Sequence, residues 1–261
     1  MSVRSILSEA RRGALSSLYR RTVSLGDHGP IVSFTFDDFP RTAFTTGGSI
    51  LERFGARGTY YTAYGLMNTK DELVQFCSED IDALLEHGHE LASHTYGHIS
   101  CRSVSCQRFC EDVESGSRAI EEASGTNATN FAYPFGHLTL RTKQSLAQSV
   151  TSARSIFPGF NGPEIDLNLL RANSLYGGME NVEAAHELIA ENAKRKTWLI
   201  FYTHDVSPRP SPFGCTPKLL EAVVSCAAQS GSRILTVREA LTEAGIQNGN
   251  SNGHVRQPVS V

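Results

Sequence analysis

The chain has 261 residues, of which 40% are apolar, 20% charged and 8% aromatic, with a formal net charge of −3. That balance excludes intrinsic disorder, and the absence of a basic excess excludes a nucleic-acid binder driven by phosphate contacts. No apolar run approaches the roughly 20 residues that span a bilayer, and the length suits a single α/β barrel of about 250 residues.

Residues 1–22 carry five arginines against Glu9, a local charge of +4, so the rest of the chain sums to −7. Val3, Leu7, Ala10, Ala14 and Leu18 share one face of an amphipathic helix. This pattern predicts a basic helix and linker over residues 1–29, packed on the domain or touching an anionic membrane surface. No signal-peptide-length apolar stretch follows the first arginine, so the expectation is a cytoplasmic protein, at most peripheral to a membrane.

From Pro30 onward β-type runs alternate with helical patterns. Strands are predicted at 31–36, 59–64, 90–93, 130–133, 152–155, 169–173, 197–203 and 233–236, and helices at 49–54, 71–86, 107–123, 140–148, 181–196, 217–229 and 237–244. The repeated βα order argues for parallel strands with helical crossovers, forming one barrel domain over residues 30–245. Residues 246–261 are polar and glycine-rich and read as a frayed tail. Cys77, Cys101, Cys106, Cys110, Cys215 and Cys226 lack a CxxC spacing and read as reduced thiols rather than a zinc site.

Four strand ends carry polar constellations. The first strand runs into Asp37 and Asp38; alone, such a pair would read as a turn or a helix cap. The 90–93 strand runs into His94-Thr95-Tyr96-Gly97-His98, whose two imidazoles can converge. Two His and one carboxylate are a normal protein ligand set for catalytic zinc, with a position left for water. The 130–133 strand leads into Tyr133-Pro134-Phe135-Gly136, where Pro and Gly force an irregular turn able to expose a backbone N–H. The 197–203 strand ends in His204 and Asp205. In a βα barrel all four would meet at the catalytic face.

Thr35-Phe36-Asp37-Asp38, His94 to His98, Tyr133 to Gly136 and Tyr202-Thr203-His204 resemble, in order and spacing, the successive motifs of the NodB-type polysaccharide deacetylases (carbohydrate esterase family four). The resemblance covers roughly residues 30–240. It implies a distorted (β/α)7-type barrel of the α/β class and metal-dependent removal of N-acetyl groups from an amino-sugar-containing oligo- or polysaccharide or its precursor. It also implies that Asp38, His94 and His98 hold one divalent ion, with zinc the expectation. Asp37 becomes the general base, His204 the general acid, and residues Tyr133, Pro134, Phe135 and Gly136 the oxyanion and substrate turn.

This chain departs from the family pattern at several points. Ala132 stands where the family places an arginine against the base, and Arg171 is the expected substitute. The family's tryptophan motif is not recognisable, since Trp198 lies inside a strand; Asp166 is the candidate partner of His204. Phe39 follows the Asp pair where many relatives have glycine, which is expected to narrow the cleft. Two other readings stay open: hydrolysis of a non-sugar amide on the same barrel, and a catalytically silent carbohydrate-binding relative. The expected partner is an N-acetylated saccharide and not nucleic acid; the oligomeric state is left open.

Overall fold

The computed structural model describes residues 13–70 and 73–246. In chain order its elements are β1 (Thr22–Ser24), β2 (Ile31–Asp37), α1 (Ser49–Arg53), β3 (Thr59–Thr62), α2 (Ser78–Glu86), β4 (Glu90–Ser93), α3 (Cys106–Ser124), β5 (Asn130–Ala132), α4 (Leu140–Leu146), β6 (Ser152–Arg154), β7 (Glu164–Asp166), β8 (Asn173–Ser174), α5 (Val182–Arg195), β9 (Trp198–Thr203), α6 (Pro217–Gln229), β10 (Arg233–Ile234) and α7 (Val237–Glu243). Seven strands pair in parallel in the order β6-β5-β4-β3-β2-β9-β8. Strand β10 adds to β2 at Ile31 and Val32, on the edge that β3 occupies at Thr35–Asp37.

Alternation along the strands explains why they read as nearly continuous apolar runs. Val32, Phe34, Phe36, Leu199 and Phe201 face outward and are buried with Leu219, Leu220, Val223 and Val224 of α6. Ile31, Trp198, Ile200 and Tyr202 face the bore, where they meet Tyr61, Ala92 and Ala132. A parallel sheet covered on both faces needs apolar side chains on both. The resulting (β/α) barrel is the expected fold.

The predicted strand at 169–173 is divided between two neighbours. Leu170 bonds to the chain of β6, through Leu170 N–H to Ala153 O (2.9 Å) and Ser155 N–H to Leu170 O (2.8 Å), while Asn173 and Ser174 pair with β9. Within a few residues this segment crosses from one free edge of the sheet to the other and so closes the barrel. The Asn161 side chain holds the crossing by accepting from Arg171 N–H and donating to Arg171 O, both at 2.9 Å. The helix predicted from residue 71 begins at Ser78, because the chain before it is extended and bridges Pro40 through Gln75. That path carries Phe76 beneath Phe39, with ring centroids 4.9 Å apart.

The basic segment is not a linker over its described part. Val3, Leu7 and Ala10 lie outside the described residues, as do 247–261 of the tail. From Leu15 onward the chain belongs to the barrel: Leu15 is buried with Phe131, Leu138 and Leu146, and β1 pairs antiparallel with β7. Arg21 is buried and donates to the carbonyls of Ala147 (2.7 Å), Val150 (2.8 Å) and Thr151 (2.6 Å), just past the end of α4. A helix C-terminus leaves carbonyls unbonded, and the guanidinium fork satisfies acceptors there that water cannot reach. Lys143, also buried, donates to Leu15 O and pairs with Asp166, both at 2.8 Å. No disulfide joins the six cysteines, and among the described residues no helix is long and apolar enough to cross a membrane.

Arg21→Ala therefore strands one buried and two part-buried acceptors, and urea denaturation should show a loss of about 2–4 kcal/mol of unfolding free energy. The neighbouring Arg20→Ala, which breaks a half-exposed pair with Glu164, should stay within about 0.5 kcal/mol.

Candidate active site

All four polar strand ends converge at one end of the barrel. Asp37 is the last residue of β2 and points inward; Asp38 turns away from the strand in the left-handed region (φ 65°). The Asp38 Oδ1 atom lies 3.0 Å from His98 Nε2 and 3.5 Å from His94 Nε2, and Oδ2 lies 3.8 Å from His204 Nε2. Phe39, Thr95, His98 and Phe135 share the positive φ of Asp38. Left-handed residues other than glycine cost energy and are commonly concentrated at functional sites.

The loop between the histidines is gripped from outside the barrel. Asp112 of α3 accepts from the N–H groups of Tyr96 (3.0 Å) and Gly97 (2.8 Å). Gly116, one turn further along α3, lets the helix approach the loop; a Cβ there would meet the Thr95 carbonyl carbon at 2.7 Å.

The Asp38, His94 and His98 donor atoms lie within 4.8 Å of one another, and they suit a divalent ion. His94 Nδ1 is 2.8 Å from the Ala132 carbonyl oxygen, which can only accept, so Nδ1 carries the proton and Nε2 presents its lone pair. The buried Asp38 Oδ1 takes a well-formed hydrogen bond from neither imidazole despite their closeness, an arrangement that suits ligands aimed at a common point. Burial pushes the His94 pKa down to about 4, so it stays neutral at ordinary pH. Burial works against ionised Asp38 too, but the neighbouring His98, His94 and His204 imidazoles outweigh it and hold the carboxyl well below its usual range. At His98 burial is likewise outweighed, here by Asp38, and the pKa is raised. Two imidazoles and a carboxylate fit zinc, and also cobalt or nickel.

The guanidinium facing Asp37 belongs to Arg154, not Arg171. Arg154 ends β6, is 1% exposed and binds Asp37 Oδ1 through Nη2. Its guanidinium carbon lies 4.8 Å from the Tyr61 ring centroid and 5.0 Å from that of Tyr202. Burial opposes its charge, but Asp37 more than compensates and the Arg154 pKa is raised. Arg171 fails as the substitute because Leu170 and Ala172 on either side face the bore, which turns Arg171 away; its Nη1 donates to Pro158 O (3.1 Å). On β6 the alternation runs the other way, with Ala153 outside and Arg154 inside. An arginine at a strand's C-terminal end, out of phase with its apolar neighbour, was the signal in the sequence.

Three further expectations are corrected. Asp166 is taken up by Lys143 and by the Arg21 N–H, at the β1–β7 pair, and does not reach His204. The His204 Nδ1 atom instead faces the carbonyl of Phe213 at 3.2 Å. Trp198 sits inside the bore with its indole N–H on Ser33 Oγ (2.9 Å), so the apolar wall comes from Phe135, Ile156, Tyr176 and Phe213. Phe39 does not narrow the cleft, because its ring is buried against Phe76 and Tyr60. Its positive φ (65°) is a conformation that glycine adopts at no steric cost.

These groups line a cavity of about 640 Å³ that contains Asp37, Asp38, His94, His98 and His204. The Phe135 ring covers one side, 4.5 Å from His98, and Phe213 the other, 5.6 Å from His204. The Tyr133 ring is buried among Phe131 and its neighbours, so the turn offers the cavity Phe135 and Gly136.

Residues 26–151 match the family model described as polysaccharide deacetylase. No curated protein matches the chain. Among solved structures, the CE4 domain of a multidomain xylanase from the hindgut metagenome of Trinervitermes trinervoides is 20% identical, over 87% of this chain and 100% of that one, with a TM-score of 0.55. A family 4 acetyl xylan esterase from Clostridium thermocellum, in complex with a cobalt ion, is 19% identical over 84% and 93%, with a TM-score of 0.54. A peptidoglycan deacetylase from Bacillus subtilis is 14% identical over 84% and 93%, with a TM-score of 0.51. At these identities the likeness is one of fold.

Removing one partner of the Asp37–Arg154 pair should be more harmful than removing both. Arg154→Met should lower the unfolding free energy by about 3–5 kcal/mol, and Asp37→Asn combined with Arg154→Met should regain most of it, as read by urea denaturation.

Proposed function

We propose, from the match of residues 26–151 to the polysaccharide deacetylase family model, that the chain is a metal-dependent hydrolase removing N-acetyl groups from an amino-sugar-containing saccharide or its precursor. The observation that carries the reading is the donor set of Asp38, His94 and His98, with His94 Nε2 unprotonated, beside Asp37 and His204 in one cavity.

A zinc ion held by these three residues would polarise the acyl oxygen and make its bound water more acidic. Asp37 takes a proton from the attacking water, while Arg154 fixes the orientation of its carboxylate. The backbone N–H of Phe135, on the left-handed turn beside His98, donates to the acyl oxygen as negative charge develops there, an effect of roughly 3 kcal/mol in comparable sites. His204 donates the Nε2 proton to the sugar nitrogen as the C–N bond breaks. Water and amide thus become acetate and a free amine. Phe135 and Phe213 offer apolar faces for the acetyl methyl and the sugar ring. The missing arginine at Ala132 does not favour a silent relative, since Arg154 supplies a guanidinium to the same carboxylate.

Zinc titration should saturate at one ion per chain, and Asp38→Ala should abolish that binding. Acetate release from N-acetylated chitooligosaccharides should require the ion, and Asp37→Asn and His204→Ala should each lower kcat by about a hundredfold or more. Turnover that survives chelation, or that is intact in Asp38→Ala, would overturn the proposal.

A further inference from the structure

His204 meets a carboxylate only on its Nε2 side, where Asp38 Oδ2 lies 3.8 Å away, yet its Nδ1 side is tightly specified as well. Its N–H and its Nδ1 both face the Phe213 carbonyl, at 3.1 and 3.2 Å. A carbonyl accepts but never donates, so the contact requires a proton on Nδ1 and leaves Nε2 as the nitrogen that exchanges protons with the cleft. The Phe213 side chain is 57% exposed, so core packing does not hold that carbonyl in place.

A polar relay holds it. Asp205, the residue after His204, is 1% exposed and faces away from the cleft. Its Oδ1 accepts from Ser211 Oγ–H (2.5 Å) and its Oδ2 from Ser211 N–H (3.0 Å). Ser211 Oγ then accepts from Phe213 N–H (3.3 Å), and Ser211 O accepts from Gly214 N–H (3.1 Å). Gly214 has no room for a side chain, since a Cβ would overlap Asp205 Oδ1. The loop closes where Cys215 N–H donates to Asp205 O (2.9 Å). Besides the Thr203 Oγ–H on the Phe213 carbonyl (3.4 Å) and the Gly177 N–H on that of Gly214 (2.8 Å), the ties that place the Phe213 carbonyl lead back to the Asp205 carboxylate or its backbone.

We propose that Asp205 is a positioning residue for His204, acting through Ser211 and the Phe213 carbonyl to fix the imidazole as its Nδ1–H tautomer with Nε2 aimed at the leaving nitrogen. This rests on His204 being the general acid. Asp205 touches neither substrate nor ion; it sets the geometry of the residue that does. Proton delivery is essential for an amine leaving group and dispensable for an aryl acetate, whose phenolate departs unprotonated. A positioning defect therefore separates the two substrates, whereas a general collapse of the site slows both.

The test uses the zinc-loaded full chain, labelled with 15N-histidine, with Asp205→Asn and the milder Ser211→Ala alongside wild type. At a pH where His204 is neutral, its ring nitrogen shifts should report Nδ1–H in wild type and a mixture with Nε2–H in both variants. On N-acetylated chitooligosaccharides kcat should fall roughly tenfold or more in Asp205→Asn and about threefold in Ser211→Ala, with KM within about twofold. The aryl acetate kcat should change by less than about threefold in either variant. An unchanged Nδ1–H signal in both variants, or equal losses on the two substrates, would overturn the inference. Amide turnover that survives in His204→Ala would instead overturn the underlying assignment of the acid, whatever the tautomer.

Discussion

A guanidinium with almost no solvent contact, facing a carboxylate across the bore of a barrel, is the constraint on which the rest of the site depends. Arg154 lies on the terminal strand β6 and Asp37 on β2, four places away in the sheet order, so their contact spans the barrel rather than a neighbouring ladder. Desolvating two charges is costly, and only a close, well-oriented partner offsets it. Tyr61 and Tyr202 hold the guanidinium between their rings, which restricts the direction in which it can offer its N–H groups. The Asp37 carboxylate is thereby presented to the cleft in a single orientation. Arg154 also donates to Ser155 O, next to the bonds by which Leu170 closes the barrel, so closure and carboxylate orientation share one residue.

Around this pair the polar work is divided between inner and outer side chains. Inside, Asp38, His94 and His98 form a donor set whose members hold one another's protonation states: burial keeps His94 neutral, and the imidazoles keep Asp38 ionised. Outside, carboxylates grip the loops from behind: Asp112 binds the Tyr96 and Gly97 amides, and Asp205 binds Ser211. The left-handed residues at the rim hold because these grips leave the loops few alternatives.

Legibility in the sequence followed the range of the interactions. Asp37, Asp38, His94, His98 and His204 were readable because each lies at the end of an apolar strand, where local pattern and barrel geometry agree. The support of Asp37 was not readable at the same level, because an arginine on either of two later strands could fill the gap at Ala132. Only strand phase decides: Leu170 and Ala172 turn Arg171 away, while Ala153 turns Arg154 inward. The partner of His204 was harder still, being a backbone carbonyl with no side-chain signature. The strand at 169–173 read as one unit because no glycine or proline interrupts it; its division between β6 and β9 is a property of barrel closure. The burial of Arg21 was not readable, because nothing local indicates that carbonyls more than a hundred residues away need it.

That separation bears on how the chain is made. Arg21 and its acceptor on Ala147 are 126 residues apart, and Asn168 reaches back 149 residues to the Tyr19 carbonyl. During vectorial synthesis at about 5–20 residues per second, Tyr19 and Arg21 wait on the order of ten seconds for the groups that bond them. The central strands, whose pairings join nearer neighbours such as β3 with β4, can assemble in that interval. The stretch around Arg21 is thus made before the barrel yet locks into place late, as a latch drawn across strands that have already formed.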